Sequence, residues 1–258
     1  MTSTPNRRQL LTTVAAGGTA ILGSGTPVGA IQASGAPKPA SLMPRSIPVT
    51  DLPRHFDVEP GIHNLENGYW SIMPRIVAEE FDRQNAFVNR TNAIWARDAL
   101  SGGKTRAASN LAAQTALARQ VGCLPEEIAV TRSGSDALQM LIANYKPIKA
   151  GDAAIYCDLD YDATIGAMEW LGTHRGVDIV RFAMPEPATT ANILAAYDDG
   201  LRRTPKARLL LGTQVSNRTG LVTPVKEIVA MARARGVDTI VDIAHGVAYL
   251  DFQLDDIA

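Results

Sequence analysis

A chain of 258 residues, 46% hydrophobic and 20% charged, has the composition of one large globular domain rather than a disordered polymer. Its formal net charge of -1 supplies no field that would draw nucleic acid or an anionic membrane surface. Two cysteines, Cys123 and Cys157, are too few for a disulfide framework, and both fall beside or inside apolar segments where buried thiols are expected. The four histidines are scattered without zinc-ligand spacing, and no metal site is expected.

The chain opens with Arg7 and Arg8 before a mildly apolar run, Leu10 to Leu22, rich in Ala, Gly and Thr. Small residues follow, with Val28-Gly29-Ala30 as a candidate cleavage site. Paired arginines ahead of a weak apolar stretch form the twin-arginine pattern, so residues 1–33 are expected to be an export signal. The run is too short and too interrupted by glycine to span a membrane. An extracytoplasmic or periplasmic location is the expectation, with no membrane association in the mature form. The proline-rich residues 34–62 are expected to be a linker or arm, and residues 63–258 the folded domain.

Within that domain, Pro74 fits the first turn of a helix reaching about Asn89. A second helix is predicted over Thr105 to Val121, with Ala107, Leu111, Ala118 and Val121 on one stripe and Gly122 ending it. Alternation follows. Strands are predicted at Ile128–Thr131, Ala153–Cys157, Val177–Ala183, Arg208–Gly212 and Thr239–Ile243. Helices are predicted between them at Ser135–Tyr145, Tyr161–Gly172, Thr190–Arg203 and Pro224–Arg235. Apolar strands separated by amphipathic helices imply an α/β fold with a mostly parallel sheet covered on both faces.

Chemistry is expected at the carboxyl ends of those strands. IAVTRSGSDAL sets Ser133, Gly134 and Ser135 at the start of a helix. Ser133 and Asp136 have capping-box spacing, and the same geometry presents free N–H groups to an anion. Tyr161 follows the second strand, where an aromatic ring can stack on a planar ligand or simply pack. Asn217 lies in a turn, GTQVSNRTG. Asp242 closes an apolar strand, and a buried carboxylate there requires a cationic or hydrogen-bonding partner. Taken together, an anion cradle, a flat side chain, an amide and a strand-end carboxylate match the needs of a pyridine-phosphate cofactor, whose protonated ring nitrogen would face the carboxylate.

On these motifs, LENGYWSIMP, TRSGSDAL, VSNRTG and VDIAH, the chain resembles the class V aminotransferase family of pyridoxal-phosphate enzymes, in the branch similar to isopenicillin N epimerase. The resemblance implies the large domain of the aspartate aminotransferase-like fold, pyridoxal 5'-phosphate as cofactor, and an amino acid as substrate. It implies phosphate contacts from Ser133, Gly134 and Ser135, ring stacking by Tyr161, approach to the phenolic oxygen by Asn217 and His245, and a ring-nitrogen contact from Asp242. A homodimer is implied as well. In the family the Schiff-base lysine lies about two dozen residues beyond the Asp, whereas the last lysine of this sequence is Lys226. The expectation is therefore an N-terminal portion of the enzyme domain that lacks the catalytic lysine and a C-terminal domain. The alternative is a short exported α/β protein, not catalytic, that binds a phosphate-bearing ligand.

Overall fold

The computed structural model describes residues 48–65, 68, 71–97 and 106–257. The expected export signal and the first part of the expected linker lie outside these residues. A 3-10 turn at Val49–His55 precedes helices α1 (Arg75–Arg97), α2 (Arg106–Val121) and α3 (Gly134–Ala143). From there strand and helix alternate: β1 (Ala153–Cys157), α4 (Asp162–Arg175), β2 (Asp178–Phe182), α5 (Thr190–Arg203), β3 (Ala207–Thr213), α6 (Val225–Arg233), β4 (Asp238–Asp242) and the short α7 (Leu254–Ile257).

All three strand pairings are parallel, in the order β2-β1-β3-β4. The chain leaves β1 for β2 on one side, then returns over β1 to place β3 on the other. That reversal opens a crevice between the carboxyl ends of β1 and β3, the topological switch point of an open α/β sheet.

The alternation of side chains along the strands builds a core on each face. Ala154, Tyr156, Leu209 and Leu211 pack with Ile142 of α3 and Ala167, Met168 and Leu171 of α4. Ile155 and Leu210 point the other way, against Ile193, Tyr197 and Leu201 of α5 and Ile228 and Ala232 of α6. The two central strands are the most completely buried: every residue of β1 is buried, as is every residue of β3 except Arg208. Gly176, at φ 64, closes α4 in the left-handed region that glycine tolerates without strain.

Four of the five predicted strands form within a residue or two of their expected bounds. The fifth does not. Ile128–Thr131 contains no strand; Ile128 is extended at φ -101 and ψ 122, and its carbonyl accepts a hydrogen bond from Gln114 Nε2 at 2.6 Å. An apolar run favours extended backbone, but a strand also needs a neighbour, and the described residues supply none. Helix α1 continues to Arg97, beyond the expected end at Asn89, and has no buried residue. On α2 only Ala118 and Val121 of the expected stripe are buried, while Leu111 is exposed. Cys157 is buried as expected, whereas Cys123 is only half-buried. Among the described residues no helix is long and apolar enough to cross a membrane, and no cluster of His, Cys, Asp or Glu could hold a metal ion.

Candidate active site

The crevice at the switch point is a cavity of about 670 Å³. Its wall includes Gly134, Ser135, Tyr161, Asn217, Asp242 and His245, residues scattered over more than a hundred positions of sequence. Gly134 and Ser135 come from the start of α3, Tyr161 from the residue before α4, Asn217 from the turn after β3, and Asp242 and His245 from the end of β4 and just past it.

At one side stands the N-terminus of α3. Ser133 is extended, and its Oγ accepts the Asp136 N–H at 3.1 Å, so this hydroxyl caps the helix and Ser133 sits outside the cavity lining. Only one arm of the capping box forms. The Asp136 carboxylate turns instead to Arg132, at 2.8 Å, and that contact holds it below the usual carboxylate range. The N–H groups of Gly134 and Ser135 precede the helical ladder and have no partner within it. A Cβ built on Gly134 would meet nothing within 4 Å, and both Gly134 and Ser135 line the cavity.

Tyr161 is the residue before α4, and three donors fix its carbonyl: the Thr164 N–H, the Ile165 N–H and the Thr164 hydroxyl, at 2.9, 2.9 and 2.7 Å. The half-buried ring is thereby held at the cavity wall. Asn217 occupies a turn closed by the Gly220 N–H on the Ser216 carbonyl at 2.9 Å and by an antiparallel bridge between Val215 and Val222. Beside it, Arg218 forms an ion pair with Asp162, linking the loops after β1 and β3 across the rim.

Asp242 is 6% exposed and ends β4. Its Oδ1 accepts the Ala244 N–H at 2.9 Å, the only hydrogen bond to this carboxylate among the described residues. A buried carboxylate with half its acceptor capacity facing a cavity is arranged for a ligand that carries a proton or a positive charge. His245 follows, and its ring lies against Gly68: a Cβ at Gly68 would come within 3.0 Å of His245 Cε1. A side chain at position 68 would press on the imidazole and require it to shift by a few tenths of an ångström. Gly68, of the LENGYW segment, thus reaches the site from far upstream and joins its lining.

Sequence reasoning missed a second buried acid. Asp160, 1% exposed, sits in the turn after β1. Its Oδ1 accepts the Thr213 hydroxyl at 2.6 Å and its Oδ2 the Cys157 N–H at 2.8 Å. Burial pushes this carboxyl up to about 7, against those two hydrogen bonds, and the negative charges of Asp242 and Asp158 push it in the same direction. Burial likewise raises the Cys157 thiol to about 12, so it is no nucleophile at neutral pH. Thr213 itself lines the main cavity and is the register partner of Asp242. The signal for Asp160 was available, since it follows the apolar strand AAIYC, but the surrounding DLDYD reads as a solvated acidic turn.

The sequence profile of the class-V aminotransferases matches residues 77–257. The chain is 32% identical over 146 residues to an isopenicillin N epimerase of Streptomyces clavuligerus, covering 56% of this chain and 36% of that protein. A cysteine desulfurase of Yersinia pestis is 35% identical over 129 residues, 48% of this chain and 30% of that protein. Among solved structures, apo cysteine desulfurase from Thermococcus onnurineus NA1 has a TM-score of 0.69 at 17% identity, covering 83% of this chain and 52% of that one. The cystine C-S lyase C-DES in complex with cysteine persulfide has a TM-score of 0.60 at 21% identity, covering 74% and 49%. These structural likenesses show the same α/β fold. The chain spans about a third of the length of the curated relatives it matches.

Proposed function

The chain belongs to the class-V aminotransferase family, and from that premise we propose that its cavity holds pyridoxal 5'-phosphate for chemistry on the amino group of an amino acid. The observation that carries this reading is a helix N-terminus, a buried strand-end carboxylate and an aromatic ring lining one cavity. The donor set fits the cofactor. Gly134 and Ser135 would take the phosphate on free N–H groups, favoured also by the helix dipole. Tyr161 would lie on the ring, Asn217 and His245 would meet the phenolic oxygen, and Asp242 would take the ring nitrogen. Ser133 would contribute through the helix start it caps.

Bound there, the cofactor supplies an electron-withdrawing ring that stabilises negative charge on the substrate carbon next to nitrogen. The residues of this chain hold and tune that ring. Asp242 would hold a proton on the ring nitrogen, because removing that proton would leave a buried carboxylate without its partner. Transamination, epimerisation and elimination all use a ring tuned in this way, and the relatives named for an epimerase and for desulfurases support reading the site at that level. A homodimer and an amino-acid substrate are part of the same proposal. Export of the folded protein by the twin-arginine route is supported by Arg7 and Arg8 ahead of their weakly apolar run.

Among the described residues no lysine lines the cavity, and Lys226 is exposed on α6, so the lining named above is expected to hold the cofactor without a covalent bond. Titration of the full chain with pyridoxal phosphate, followed by quenching of intrinsic fluorescence, should saturate at one equivalent and be reversed by millimolar inorganic phosphate. Borohydride should then fix no label at a single lysine. Absence of saturable binding would refute the cofactor reading; stoichiometric labelling of one lysine would refute the non-covalent part alone.

A further inference from the structure

Asp160 plays no part in the site as the family resemblance describes it, yet it is the most deeply buried acid of the described residues and borders the cavity wall. We propose that Asp160 is a positioning residue of the cofactor site, acting on the cavity through the Thr213 hydroxyl and on Asp242 across strand β3. The inference rests on the reading of Asp242 as the partner of the ring nitrogen.

The geometry sets this out. Strand β3 runs between β1 and β4, so its last residue, Thr213, lies between the turn that carries Asp160 and the strand end that carries Asp242. The Thr213 hydroxyl donates to Asp160 Oδ1 at 2.6 Å, and Thr213 also forms part of the cavity wall. A single side chain therefore touches the hidden acid and the ligand space together. Behind it, Asp160 and Thr213 share a void of about 10 Å³ with Tyr197, Ser216 and Thr223.

The titratable groups that face Asp160 are Asp158 on its own turn, Tyr156 and Cys157 from β1, Tyr197 from α5, and Asp242 from β4. No cation is among them. Burial with acidic neighbours places its ionisation near pH 7, inside the working range of most enzymes. With Asp160 ionised, the Thr213 hydrogen points at Oδ1. When a proton from solvent arrives on Asp160, that oxygen becomes the donor, Thr213 Oγ1 accepts, and the hydroxyl hydrogen is released to turn toward the cavity. Ionisation also sets a second negative charge near Asp242. A proton on a ring nitrogen bound at Asp242 is then held more firmly above the transition than below it.

The test is the ring-nitrogen resonance of pyridoxal phosphate labelled with nitrogen-15, bound to the full chain and followed from pH 5.5 to 9 (roughly the window in which a carboxyl of this kind titrates). Phosphorus-31 spectra of the same samples separate the phosphate ionisation. Wild-type protein should show a step in the nitrogen shift near neutral pH, and D160N should show none. Thr213→Val keeps the strand's shape and removes only the relay; it should shrink the step at least twofold, and it serves if D160N does not fold. A step of undiminished size in D160N, or in T213V where D160N fails to fold, overturns the inference. D242N separates the two levels. Loss of ring protonation in D242N with an unaltered step in D160N sinks this proposal alone, whereas unchanged protonation in D242N sinks the reading on which it rests.

Discussion

Asp242→Asn in the full chain is expected to weaken pyridoxal phosphate binding about a hundredfold, or ~3 kcal/mol, the range seen when one partner of a buried charge-assisted hydrogen bond is removed. The argument is local. Asp242 is 6% exposed, and its one hydrogen bond among the described residues, from the Ala244 N–H, leaves an oxygen toward the cavity. Asparagine keeps the volume and can still accept from Ala244, so the fold should survive. It presents no charge to a protonated ring nitrogen. Fluorescence titration of wild type and variant, with circular dichroism to check folding, measures the difference. Equal dissociation constants in two equally folded proteins would remove Asp242 from the binding site.

A second large effect concerns stability and pH. Asp160 titrates near 7 in the folded protein, against ~3.9 for an unfolded aspartate. The folded state therefore binds the proton more tightly, and between those values it holds a proton that the unfolded state has released. The stabilisation contributed by the protonated acid is fully present below about pH 4, declines as pH rises toward 7, and is absent above it. Its size is on the order of 4 kcal/mol. D160N has no such group, so its stability relative to wild type should rise by several kcal/mol from pH 4 to pH 8 in urea unfolding. Comparing the two proteins at each pH cancels the other carboxylates, including Glu80, whose hydrogen bond from Arg83 lowers it to about 2. A difference that stays flat across this range would show that Asp160 is not a buried, proton-holding acid.

Much of this architecture could be read from apolar runs. Ala153–Cys157 and Thr190–Arg203 have the bounds the pattern predicts, because each is a continuous run or stripe between clear breakers. Ile128–Thr131 shows the limit of that reasoning. Its composition favours extension, but pairing depends on a neighbour that no local pattern names. The site followed the same division. Gly134, Ser135, Tyr161, Asn217 and Asp242 stood out at strand ends, a turn and a helix start, while His245 came with the family resemblance. Gly68 and Thr213 did not, since their roles come from a close approach to His245 and from a place between two acids. Both depend on the strand order. Asp160 was hidden by the acids around it, which make its turn resemble open surface until the structure places it at 1% exposure.

The wholly parallel sheet has a kinetic corollary. No pair of its strands can be joined by a hairpin, so each pairing must close a loop that contains a helix, and such contacts form slowly. The cavity is completed only when β4, the last strand among the described residues, docks and brings Asp242 into one wall with Ser135, with roughly a hundred residues of chain between them. A ligand that touches both ends acts as a reversible cross-link across that span. It binds the finished fold and not its precursors, so saturating ligand should slow unfolding and leave the early steps of folding at their own pace.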